Sequence, residues 1–296
     1  MNEIFDKLLI RIILCALIFL ILYSYRYMHF LFFKKIKHFS LRSIYPEKNL
    51  PHALFLISRL VGFVLILGGQ KVELSNGLLS AVFNLLFDSG LLVILYLISI
   101  YVFESIVLYS FTIEDEIIRR KNLSFSIVSS GLSLSAAVIV SSISEISEGS
   151  LFDLSFLWLL TLVLFGLSTK LFDLIFKFNL TRSIVQHHLP SAFHYIGFIA
   201  AWVIILSSII NHKIIGHQEY ILKTLLDMVL NVIIFPIFFI GVSKLFYINK
   251  FRNLNDNKEE QISSFGTLEG ILLFASAILT VMITSKIQFG SFYPTL

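Results

Sequence analysis

The stretch Leu50–Gly68, LPHALFLISRLVGFVLILG, returns 139 positions later as Leu189–Ser207, LPSAFHYIGFIAAWVIILS. Leu50, Pro51 and Ala53 recur as Leu189, Pro190 and Ala192, and Ile57, Val64, Ile66 and Leu67 recur as Ile196, Val203, Ile205 and Leu206. Apolar matches between two apolar runs arise partly from composition. A polar match does not: Asp88 and Asp227 stand at the same spacing of 139, beyond a connecting segment of equal length. Asn84 meets Lys223 in the same register. The chain therefore reads as one unit copied in tandem.

Around these two runs the chain is apolar throughout. Of its 296 residues 57% are hydrophobic and 14% charged, where soluble domains carry roughly a quarter charged. Thirty residues are Phe, and the mean hydropathy is +0.87. So few charges cannot cover a water-soluble globule, and disorder requires the opposite composition. With 14 Gly, 5 Pro and one Cys, the collagen-like and disulfide-rich classes are excluded as well. Cys15 can form no intrachain disulfide. The excess of basic residues, a net +4, is spread over short loops beside apolar runs. That distribution marks membrane orientation rather than nucleic-acid binding.

Eight runs suffice to cross roughly 30 Å of hydrocarbon, which takes about 20 helical residues. They cover Leu8–Phe33, Pro51–Gly69, Leu78–Phe111, Leu123–Ile143, Leu151–Phe178, Pro190–Ile210, Ile221–Asn249 and Ser264–Ser285. Backbone groups in lipid must be paired within their own segment, so the fold class expected is all-α, a polytopic bundle of eight transmembrane helices. The first run opens with Glu3 and Asp6 and has no small-residue cleavage site, which reads as a retained helix and not a signal peptide.

Lys34, Lys35, Lys37, Arg42 and Lys48 follow the first span, Arg119, Arg120 and Lys121 the third, Lys177 and Arg182 the fifth, and Lys250, Arg252 and Lys258 the seventh. The other side is poor in Lys and Arg. The positive-inside rule then places both termini on the non-cytosolic side. Four spans per copy keeps the two repeats, 1–149 and 150–296, in one orientation, related by an axis along the membrane normal.

Three motifs carry a family resemblance. Asn49-Leu-Pro-x-Ala53 opens the second span; Glu114-Asp-Glu-Ile-Ile-x-x-x-Asn122 forms the turn after the third; and the small-residue run Ser126–Ala137 follows in the fourth. The second half keeps the first and third motifs, with Gly266, Gly270, Ala275 and Ala277, but has Lys258-Glu-Glu-Gln-Ile262 in place of the middle one. The chain resembles the YjfL-like family of bacterial inner-membrane proteins, a domain of unknown function, as a tandem pair of the family unit. The resemblance implies a bacterial cytoplasmic membrane location. It also implies company with cytosolic membrane-stress proteins of the phage-shock type and with ATP-grasp ligases related to glutathionylspermidine synthesis. The family has no established activity, so the resemblance implies no catalytic residues.

Charges inside the hydrocarbon mark candidate sites, because each costs about 2.5–3.5 kcal/mol on insertion scales. Asp88 with Asn84, and Lys223, Asp227 and Asn231 at i, i+4 and i+8, form polar stripes on the third and seventh spans. Arg59 lies mid-way along the second span. In one reading Asp88 and Asp227 are twin stations for a cation, proton or polyamine-like solute. In the other, Arg59 pairs with Asp88 and Lys223 with Asp227, fixing helix register. His194, one turn from the position matching Arg59, is either a proton relay or a hydrogen-bonded filler.

The turn residues Glu114, Asp115, Glu116, Arg119, Arg120 and Lys121 read as a helical extension with Asp115–Arg119 and Glu116–Arg120 pairs. They read alternatively as a docking handle for a cytosolic stress-response partner. The small residues of the fourth span and the Gly266/Gly270 pair suit close helix packing or, alternatively, a hydroxyl-lined path. His187 and His188 fall on the cytosolic side, with His212, His217 and Glu219 in an outer loop. None has the spacing of a closed metal site, and no cofactor is expected. Phosphate-loop, zinc-protease, nucleophile-elbow and dinucleotide motifs are absent, and no nucleophile–base constellation stands out. The expectation is a non-enzymatic protein of the bilayer, a solute or ion pathway or a scaffold, with a homo-oligomer left open.

Overall fold

The computed structural model describes residues 2–32, 49–70, 77–147, 150–176, 180–214, 216–246 and 259–286. The helices are α1 (Asn2–Phe32), α2 (Leu50–Gly68), α3 (Leu78–Val107), α4 (Leu123–Ile146), α5 (Leu151–Phe176), α6 (Leu180–Val185), α7 (Leu189–Ile210), α8 (His217–Leu245) and α9 (Glu259–Lys286). Among the described residues there are no strands. All of these helices except α6 are long and apolar enough to cross a bilayer, so the chain is a multi-pass membrane protein. The basic segments 33–48 and 247–258, which carry much of the orientation signal, lie outside the described residues.

Three of the differences from the sequence reading at the helix ends bear on the site. The third span stops at Val107, where the Leu108 N–H closes on the Glu104 carbonyl at 2.7 Å. The fifth span is followed by the separate short helix α6, which the apolar pattern merges into a loop. His217 and Glu219 are not loop residues: they form the first turn of α8.

The chain divides into two units, Met1–Glu145 and Ile146–Leu296. In the first, α2 packs on α1, α3 and the turn after α3. Its core is aromatic, with Phe63 centred 4.9 Å from Tyr25 and 5.1 Å from Tyr96. Tyr96 passes directly over Gly62, where any Cβ would collide with its hydroxyl. In the second unit α7 is central and packs on α5, α6, α8 and α9, with Trp202 and Phe198 wholly buried. Hydroxyls within the helices bond to carbonyls one turn back, as Ser99, Thr161, Ser276 and Thr280 do. That bonding removes the cost of an unpaired polar group in hydrocarbon.

Candidate functional site

Asp88 and Asp227 each lie ten positions past the first residue of their helix, Leu78 or His217. At 1.5 Å per residue that is about 15 Å along α3 and α8. The inward face of α3 is Leu85, Ser89, Leu92, Tyr96, Ser99 and Phe103. Asp88 and Asn84 are off that face and exposed, among the exposed Phe83, Leu86 and Phe87. Asp227 is half-buried and Lys223 exposed on α8, beside the exposed Leu226 and Leu230. Asn231 turns inward: its amide donates to the Asp227 carbonyl at 2.7 Å, and its Oδ1 accepts from the Thr284 hydroxyl at 3.2 Å, tying α8 to α9.

The expected pairing of Arg59 with Asp88 does not form. The Arg59 guanidinium, buried on α2, donates one nitrogen to both oxygens of Glu104 on α3, at 2.8 and 3.0 Å. The Ser129 hydroxyl on α4 donates to the same carboxylate at 2.5 Å. Phe55, one turn before Arg59, lies under the guanidinium at 3.7 Å, a cation–π contact that favours the desolvated cation. Three helices thus meet on one ion pair whose side chains are 9% and 10% exposed. Glu104 is hard to read from the sequence because it sits at the end of a long apolar run. It lies three residues from the end of α3.

The second unit answers with different residues. His194 Nδ1 on α7 lies 2.9 Å from Glu269 on α9. Glu269 stands between Gly266 and Gly270, in a run that reads as packing surface. Those glycines let the helices touch backbone to backbone. A Cβ on Gly266 would strike the Pro190 carbonyl, one on Gly197 would strike Gly270, and one on Gly270 would come within 2.6 Å of the Phe193 carbonyl oxygen. The pair of glycines is packing surface, the close-approach role of small residues in membrane helices.

The turn after α3 is a π-helical turn, Asp115–Arg119, closed by the Arg120 N–H on the Asp115 carbonyl at 2.9 Å. Both expected i, i+4 pairs are present, Arg119–Asp115 at 3.8 Å and Arg120–Glu116 at 3.1 Å. Glu116, however, is buried, which takes it out of any docking surface. Its other oxygen accepts from the Asn122 amide at 2.8 Å, while Asn122 Oδ1 caps α4 through the Phe125 N–H at 3.2 Å. Asn49 caps α2 through the His52 N–H and donates to the Ile117 carbonyl at 3.1 Å. The first two motifs of the resemblance are therefore one interlocked cap. Glu114 and Asp115 flank it half-buried, Arg119 and Arg120 exposed, and Lys121 is exposed with a φ of 50°.

His187 and His188 precede α7, with His188 Nδ1 2.6 Å from the Ser191 hydroxyl. His217 Nε2 lies 3.0 Å from Asp153. His212 stacks on Tyr220, centroids 4.2 Å apart, and burial together with the Lys223 charge lowers its pKa from the ordinary histidine value.

Two helix sets matched at a constant spacing are what a duplicated family unit predicts. The family model described as Domain of Unknown Function (DUF350) matches residues 4–143 and again 146–284. The chain belongs to the DUF350 family. Its two DUF350 copies account for the tandem pair read from the sequence, and each begins its second membrane helix at the Leu-Pro start. No curated relative and no solved structure matches the chain. Within the first DUF350 copy the interlocked polar groups are the cap and the buried ion pair. Asp88 and Asp227 are the polar positions common to both copies that remain outside them.

Proposed function

We propose that this DUF350 tandem is a non-enzymatic pathway for a small cation, proton or polyamine-like solute, with Asp88 and Asp227 as its two stations. The observation that supports it is the state of Asp88. Its would-be neutraliser, Arg59, is committed to Glu104, and among the described residues Asp88 enters no ion pair. A carboxylate left on an apolar helix face has no lipid-facing solution that avoids a cost of about 2.5–3.5 kcal/mol. Water or protein must cover it. Asp227 stands at the matching depth, half-buried one turn after Lys223. Purified protein in liposomes tests this: Asp88→Asn with Asp227→Asn is expected to abolish cation or proton flux, and an unaltered flux overturns the reading. A bacterial inner-membrane location with both termini outside the cytosol belongs to the same proposal.

A second reading, a scaffold recruiting a cytosolic membrane-stress partner, is favoured by the rigid cap. It presents Arg119 with a side chain 70% exposed. Reversing Arg119, Arg120 and Lys121 to Glu should then abolish co-purification of the partner, and undiminished recovery counts against it.

A further inference from the structure

The buried pairs of the two units fill the same positions with a permuted set of residues. At the spacing of 139 that relates α2 to α7 and α3 to α8, Phe55 matches His194, Arg59 matches Phe198 and Glu104 matches Ser243. The fourth helices are related by 140, because Ser126 bonds the Pro51 carbonyl and Gly266 abuts the Pro190 carbonyl. That register places Ser129 at Glu269. Each unit thus holds one aromatic ring, one base, one acid and one serine at these positions. In the first unit the acid is on the third helix and the serine on the fourth; in the second unit they are exchanged. The base and the ring on the second helix are exchanged as well.

The exchange alters the chemistry. An arginine keeps its proton at any physiological pH, so the Arg59–Glu104 pair has one protonation state. A histidine does not, and its charge changes between about pH 5 and 8. We propose that His194 and Glu269 form a proton-binding site, of which Arg59–Glu104 is the permanently ionised counterpart. Uptake transfers a proton from hydronium to the imidazole–carboxylate pair, leaving water and taking the pair from singly negative to neutral.

The geometry supports this site. The His194 and Glu269 side chains are 10% and 20% exposed, dry enough to couple and open enough to meet water. Their 2.9 Å separation is set by the backbone contact of α7 and α9 on either side of Glu269. Toward the same end the other helices packed on α7 carry Lys170, Arg182 and Lys244, all exposed. Where the first unit has its acid, the second has Ser243, whose buried hydroxyl has no partner among the described residues. The inference is independent of the flux reading and stands if no flux is found.

The test is infrared difference spectroscopy of the full chain in lipid nanodiscs, comparing about pH 5 with about pH 8. Wild type should show paired carboxyl and imidazole bands. Glu269→Gln should remove one glutamate's share of the carboxyl bands and His194→Gln one histidine's share of the imidazole bands, while Ser129→Ala in the first unit leaves both. Bands undiminished from wild type in Glu269→Gln and His194→Gln, or diminished in Ser129→Ala, overturn the proposal. Should either variant fail to fold, histidine-labelled wild type is read directly by NMR. One histidine resonance must then shift over that pH range and show a coupling to a Glu carboxyl carbon; absence of such a resonance overturns the proposal equally.

Discussion

Removing the acid of the Arg59–Glu104 pair should be among the most damaging single changes in the first unit. In Glu104→Gln the volume stays, one acceptor remains, and an amide group turns toward a guanidinium that can only donate. The side chains are 9% and 10% exposed, so the arginine charge has almost no water to return to. Stripping one partner from a buried pair costs about 3–5 kcal/mol, and the Phe55 ring beneath the cation offsets about 0.5–2 of it, leaving about 1–4.5 kcal/mol. The assay is equilibrium unfolding of the full chain in mixed micelles by added SDS, followed by circular dichroism. The exposed Asp88→Asn is the control, expected within about 0.5 kcal/mol of wild type. The decisive arm is Arg59→Met with Glu104→Leu. An apolar pair of similar volume has no charge to desolvate and should recover most of the loss, as buried pairs elsewhere do. If Glu104→Gln is as mild as Asp88→Asn, or if the apolar double is as costly as the single, the pair is not the dry ion pair described above.

Three further outcomes follow from particular contacts. Gly270→Val must push α9 off the Phe193 carbonyl and should destabilise by about 1–3 kcal/mol or more, whereas Gly241→Ala, with open space around it, should stabilise by about 0.5–1 kcal/mol; thermal unfolding in detergent reads both signs. Asn122→Ala removes both the α4 cap and a partner of buried Glu116, for a loss of about 1–3 kcal/mol in the same measurement. His212 has a lowered folded-state pKa, so the folded chain binds its proton less readily than the unfolded chain. Its contribution is present above the ordinary histidine range and is lost as pH falls through the lowered value. The melting midpoint should therefore fall on acidification, and His212→Asn should remove part of that fall; an identical pH profile in the variant refutes it.

The duplication, the helical class and the bilayer were legible because each rests on composition, length or a polar identity such as Asp88 with Asp227. The partners of buried charges were not. On α3, apolar residues occupy every side, since lipid and protein core select the same side chains. No periodicity separates the face of Ser89 and Tyr96 from that of Asp88, so a depth argument alone matched Arg59 to the wrong acid. Glu116 misled in the opposite sense. At the end of an acidic block that faces a basic one it looks solvated, yet it is buried and held by Asn122. Asn49 and Asn122 were visible as motif letters, but their joint work as one cap depends on the π-helical turn, whose extra residue has no mark in the sequence.

The shuffled placement of acid, base, ring and hydroxyl constrains how the two halves can have diverged from a common parent. Moving the acid from one helix to another by single replacements passes through a chain with two acids against one base, or with a base and no acid. Either ancestor would have been poorly tolerated in the membrane. The route with the fewest barriers runs through a half that had lost its ions altogether and regained them elsewhere. Chimeras built by trading single helices between the halves should meet the same obstacle today, whereas trading an entire half should not.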